Sequence, residues 1–86
     1  MKVEVRLFAT LAAFLPPTSR EGAVTLEVPS GSTVHDVMRH LGVPADFERV
    51  SLVNGGEVDT GYALRSGDVV TVFPPLAGGL QKVPIS

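Results

Sequence analysis

Pro29-Ser30-Gly31-Ser32-Thr33-Val34-His35-Asp36-Val37-Met38-Arg39-His40-Leu41-Gly42-Val43-Pro44 is the stretch in which the hydrophobic period of this 86-residue chain changes. Val34, Val37, Met38 and Leu41 recur at i, i+3, i+4 and i+7, which is one face of an amphipathic helix. Thr33 stands at the N-cap, and Asp36 three residues later completes a weak version of the capping box. Gly42 supplies a left-handed stop and Pro44 prevents resumption. On either side of this segment the period is two.

Upstream, Val3, Val5 and Leu7 alternate with Lys2, Glu4 and Arg6, the pattern of a half-buried strand. Ala9 to Leu15 suits a short helical turn ended by Pro16-Pro17, and a polar loop follows through Gly22. Val24, Leu26 and Val28 resume the alternation as a second strand, antiparallel to the first. Downstream, Val50, Leu52 and Val53 form a third strand running into Asn54-Gly55, the strongest short hairpin signal. A brief return strand is expected around Glu57-Val58. Ser66-Gly67-Asp68 then turns the chain into a last strand, Val69 to Phe73. The order predicts an α+β domain of the ubiquitin-like β-grasp type, a mixed sheet of four to five strands packed on one main helix. Its expected span is residues 1–75, with 76–86 as a flexible C-terminal tail.

Composition narrows the chemistry. A chain this short has room for one modest core. With no cysteine, disulfides, thiolate metal sites and a cysteine nucleophile are excluded. The charge is -2, and the basic residues Lys2, Arg6, Arg20, Arg39, Arg49, Arg65 and Lys82 are scattered, which argues against nucleic acid as a partner. No segment approaches membrane-spanning length and Met1 to Arg6 lacks a signal-peptide run, so the expected address is the cytoplasm. His35 and His40, five apart, do not share a helix face and read as surface residues rather than ligands. Asp68 after a turn glycine reads as a loop stabiliser, Met38 as core filler and Tyr62 as packing near a sheet end.

The tail carries the functional signal. Val72-Phe73 is apolar strand, Pro74-Pro75 cannot continue a sheet ladder, and Leu76-Ala77-Gly78-Gly79 ends in two residues without side chains. Together with Leu7-Phe8-Ala9, Val28-Pro29-Ser30-Gly31-Ser32-Thr33-Val34, Val53-Asn54-Gly55 and Ser66-Gly67-Asp68-Val69-Val70, this set resembles the MoaD/ThiS family of ubiquitin-like sulfur carriers. The resemblance covers Met1 to Gly79, and the distance to Gly-Gly is similar to that of the molybdopterin synthase small subunit. It implies that an E1-like adenylyltransferase uses ATP to adenylate the carboxylate of Gly79, and that a sulfur donor converts the acyl-adenylate to a thiocarboxylate. The sulfur would pass to a large synthase subunit or another acceptor. The carrier itself would bind no cofactor and would not be an enzyme.

The residues fit such a role. A free carboxylate is a poor electrophile, and a mixed anhydride makes its carbon attackable. The chain has no phosphate-cradling Gly-rich loop before a helix, so a partner must bring the ATP. Gly78 and Gly79 allow close backbone approach. Six residue steps from Phe73 to Gly79 reach roughly 20 Å when extended, enough to enter a buried active site while the domain docks outside. Strand parity puts Phe8 and Phe73 opposite the core at the edge where the tail emerges, where they and Pro74-Pro75 would form a partner anchor. The competing reading puts both aromatics in the core.

One feature departs from the family. Gly79 is followed by Leu80-Gln81-Lys82-Val83-Pro84-Ile85-Ser86, and a glycine in a peptide bond cannot be adenylated. Removal by a processing protease is the favoured explanation. The rival functions are a protein modifier joined through Gly79 to lysines and a non-reactive β-grasp interaction module.

Overall fold

A computed structural model describes residues 1–75. Leu76, Ala77, Gly78, Gly79 and the segment Leu80 to Ser86, to which the sequence assigns the reactive tail, lie outside the described residues. The expected elements are all present: β1 (Lys2–Leu7), a 3-10 helix (Ala9–Phe14), β2 (Ala23–Glu27), α1 (Val34–Leu41), β3 (Val50–Val53), β4 (Gly56–Val58) and β5 (Val69–Phe73). The five strands form one mixed sheet in the order β2-β1-β5-β3-β4. Its centre is the parallel pair β1 and β5, with Leu7 beside Val72 and Val5 beside Val70. This is the predicted α+β β-grasp arrangement, a sheet wrapped on one helix.

The helix boundaries follow from chemistry visible in the sequence. Thr33 Oγ1 accepts from the Asp36 amide at 3.1 Å, and the Thr33 amide donates to Asp36 Oδ2 at 3.0 Å, a reciprocal capping box. Gly42 takes φ 86 and closes the last turn, its amide bonding back to the Arg39 and Met38 carbonyls. Asn54 at φ 52 and Gly55 at φ 90 make the two-residue turn between β3 and β4, with both central residues left-handed as a type I′ hairpin requires.

The core lies between α1 and one sheet face. Val3, Val5, Leu7, Val70 and Val72 from the sheet meet Val34, Val37 and Met38 from the helix, all essentially inaccessible. Leu11 in the 3-10 helix, Val43 and Leu64 close its margins. Phe14 and Phe47 pack edge to face at 5.7 Å against this core. In β3 the inward positions are Ser51 and Val53, while Val50 and Leu52 point to the opposite face. A serine thus occupies a core position that the run of apolar letters obscures.

Candidate functional site

The parallel central pair decides where the tail leaves. β1 and β5 run in the same direction, so their C-terminal ends lie side by side. The Phe8 amide continues this pairing by donating to the Val72 carbonyl at 3.1 Å. Leu7 beside Val72 places Phe8 next to Phe73 in register, both on the side away from the helix. Phe8 is 46% exposed and Phe73 is half-buried. Neither belongs to the helix-facing core.

The backbone after Phe8 is bent to achieve this. Ala9 adopts φ 55, a left-handed conformation unusual for a residue with a side chain. The bend lets Leu11, whose amide donates to the Phe8 carbonyl at 3.0 Å, turn fully into the core while Phe8 stays outside. Backbone strain of this kind persists only where surrounding structure enforces it. Here Leu7 and Leu11 are the two buried anchors on either side.

β5 is fixed at both ends of its partnership. Arg6 pairs with Thr71 on one side and Leu52 with Thr71 on the other. Its entrance is held by a side-chain clamp. Asn54 Nδ2 donates to Asp68 Oδ1 at 3.0 Å, and Asn54 Oδ1 accepts from the Val69 amide at 2.9 Å. Asp68 Oδ2 also accepts from the Arg65 amide at 2.8 Å. Asp68 is buried and stabilises the loop as expected, but its partnership with the distant Asn54 was not expected from either turn motif. Beyond Phe73 come Pro74, half-buried, and Pro75, exposed. The remaining predicted residues, Leu76 to Gly79, lie outside the described part.

Among the described residues the histidines and Asp36 stand apart from this end of the sheet. His40 is exposed and His35 half-buried. Among the described residues no group of three or more His, Asp or Glu is placed to hold a metal. Asp36 has its carboxyl below the usual range, first because the Thr33 amide donates to it, then through the Thr33 hydroxyl, with Arg39 and His35 adding positive charge nearby. That is capping. Tyr62 stands 41% exposed, not packed away at a sheet end; its carbonyl takes the Val34 amide at 3.1 Å. Among the described residues no helix is long and apolar enough to cross a membrane.

Comparison with known proteins agrees with this geometry. The family model described as Mut7-C ubiquitin matches residues 1–78. Small archaeal modifier protein 3 of Haloferax volcanii is 32% identical over 92% of this chain and 100% of its own length. The solution structure of the H. volcanii HVO 2177 protein superposes with a TM-score of 0.73 at 32% identity, covering 92% of this chain and 87% of that one. A putative molybdopterin converting factor subunit 1 from Pyrococcus furiosus gives 0.63 at 30% identity, covering 87% of this chain and 98% of that one. The chain therefore belongs to the Mut7-C ubiquitin family and, with these relatives, to the MoaD/ThiS group of ubiquitin-like sulfur-carrier proteins.

Proposed function

We propose that this protein is a sulfur carrier whose working group is the carboxylate of Gly79, exposed when a protease hydrolyses the Gly79–Leu80 bond and removes Leu80 to Ser86. The observation that carries the reading is the exit of β5. The strand leaving the sheet centre passes beside the exposed Phe8, runs into Pro74-Pro75 and leads to Gly78-Gly79. Body and tail thus divide the work, one docking and the other reacting. An E1-like partner supplies ATP, and the Gly79 carboxylate attacks its α-phosphorus with loss of pyrophosphate. Hydrosulfide, HS⁻, from a sulfide-releasing donor then attacks the acyl carbon, AMP leaves with the electrons of the broken acyl–phosphate bond, the thiol proton is lost, and a thiocarboxylate remains. The acceptor is a large synthase subunit making a molybdopterin-type cofactor, or the target of a related sulfur transfer. Support for the first comes from the P. furiosus relative, which is named as one subunit of a converting factor.

Intact mass spectrometry of the protein from its native cell tests this. The expected species ends at Gly79 with one oxygen exchanged for sulfur; full-length chain alone would overturn the reading. A second function is favoured by the relative named as a small archaeal modifier. Here the same activated Gly79 is captured by a lysine amine as an isopeptide. Higher-mass conjugates that vanish on replacing Gly79 would identify it.

A further inference from the structure

A protein that carries an activated acyl group is open to attack by its own amines. This chain holds two lysines, Lys2 and Lys82, against five arginines. A guanidinium does not lose its proton in proteins, so the arginines offer no nucleophile. Lys82 stands past Gly79 in the sequence and departs with the extension on processing. Two amines then remain, those of Lys2 and Met1, and the structure places them differently. The Met1 side chain is 7% exposed, and its part-buried amine donates to the Val28 carbonyl at 2.7 Å and pairs with Glu27 Oε2 at 3.4 Å. Lys2 opens β1, exposed, on the sheet face away from the helix. Its backbone is held by register with Glu27 on β2 and by the Gly67 amide, which donates to its carbonyl at 2.8 Å.

We propose that Lys2 is the acceptor through which copies of this protein are joined, Gly79 of one copy to Lys2 of the next. The inference rests on the second function given above, the lysine-captured modifier, and names an acceptor for it. The lone pair of the neutral Lys2 amine attacks the acyl carbon of another copy's Gly79 adenylate. AMP leaves with the electrons of the acyl–phosphate bond, the nitrogen gives up a proton to solvent, and an isopeptide remains. Geometry sets the form of the product. β1 and β5 run parallel, so the chain leaves β5 at one end of the sheet while Lys2 stands at the other. Six strand residues separate Lys2 from Phe8, about 20 Å. Donor and acceptor at opposite ends make a head-to-tail contact, which extends instead of closing as a symmetric pair. A single reachable amine gives one linkage and no branches.

Two measurements test this. The purified chain is treated with limiting N-hydroxysuccinimide acetate, an activated ester standing in for the acyl-adenylate. Lys2 is expected to be acetylated ahead of the Met1 amine; the reverse order would overturn the assignment whatever the protein's function. Conjugates are then isolated from the native cell, with the unaltered chain and with Lys2→Arg, and digested with trypsin. The expected product is Met1–Arg6 carrying Ser66–Gly79 on Lys2, from bands above monomer size. Lys2→Arg is expected to abolish those bands while conjugates with other proteins persist. The branched peptide at monomer size would show one copy closed on itself and overturn the head-to-tail chain. Conjugates with other proteins alone would overturn the self-linkage and keep the modifier reading; no conjugates of any kind would remove both.

Discussion

Ser51 shows how one side chain can sit against the grain of a fold. It is 4% exposed, faces the core from β3, and its hydroxyl is buried without a hydrogen-bond partner. An unsatisfied buried hydroxyl costs roughly 1–3 kcal/mol. Ser51→Ala is therefore expected to stabilise the domain by about 1 kcal/mol, read as a higher urea midpoint at unchanged slope. A lower midpoint would mean the hydroxyl is satisfied. Asp36 makes the opposite case. Its carboxyl is held below its ordinary value, so the folded state binds fewer protons than the unfolded one in acid. Its contribution is fully present above the unfolded value and fades as the pH drops below about 4. Thr33→Ala should cost about 1 kcal/mol at neutral pH, and Asp36→Asn should flatten the acid limb of a stability profile.

Among the elements, the hairpin and β5 are joined by more than their ladder. Asn54 serves the turn with its left-handed backbone and serves the β5 entrance with both ends of its amide. Asn54→Ala should cost about 2–3 kcal/mol, since it adds backbone strain and strips Asp68 of a donor. Asn54→Gly keeps the turn and loses only the bonds, so a smaller loss in thermal denaturation is expected; equal losses would show that the clamp alone matters. Each of these elements was legible because a local rule wrote it: period 3.6 with caps for α1, period two for β1 and β5, Asn-Gly for the hairpin. The clamp was not, because it joins residues 14 apart through side chains that each look locally satisfied. Ser51 escaped for a related reason. Val50, Leu52 and Val53 read as a run, and only the pairing with β5 fixes which parity faces inward.

At the scale of the whole molecule, the parallel pairing of the first and last strands, and the placing of Phe8 and Phe73 off the core, followed from combining strand parity with a recognised set of motifs. The left-handed Ala9, at which the chain bends after Phe8 to bring Leu11 into the core, has no signature in the letters around it. If the proposed activating partner docks on these rings, replacing Phe8 and Phe73 together by alanine is expected to weaken its binding at least tenfold, as loss of an aromatic anchor does. The thermal midpoint should change little, since neither ring belongs to the core; a collapse of stability would transfer them to the interior. Phe8 and Phe73 stand at opposite ends of the sequence and become neighbours only once β5 slots in beside β1. A nascent or partly unravelled chain cannot display the two rings side by side. An activating enzyme that grips both would spend its nucleotide only on finished molecules, a quality check at no extra cost.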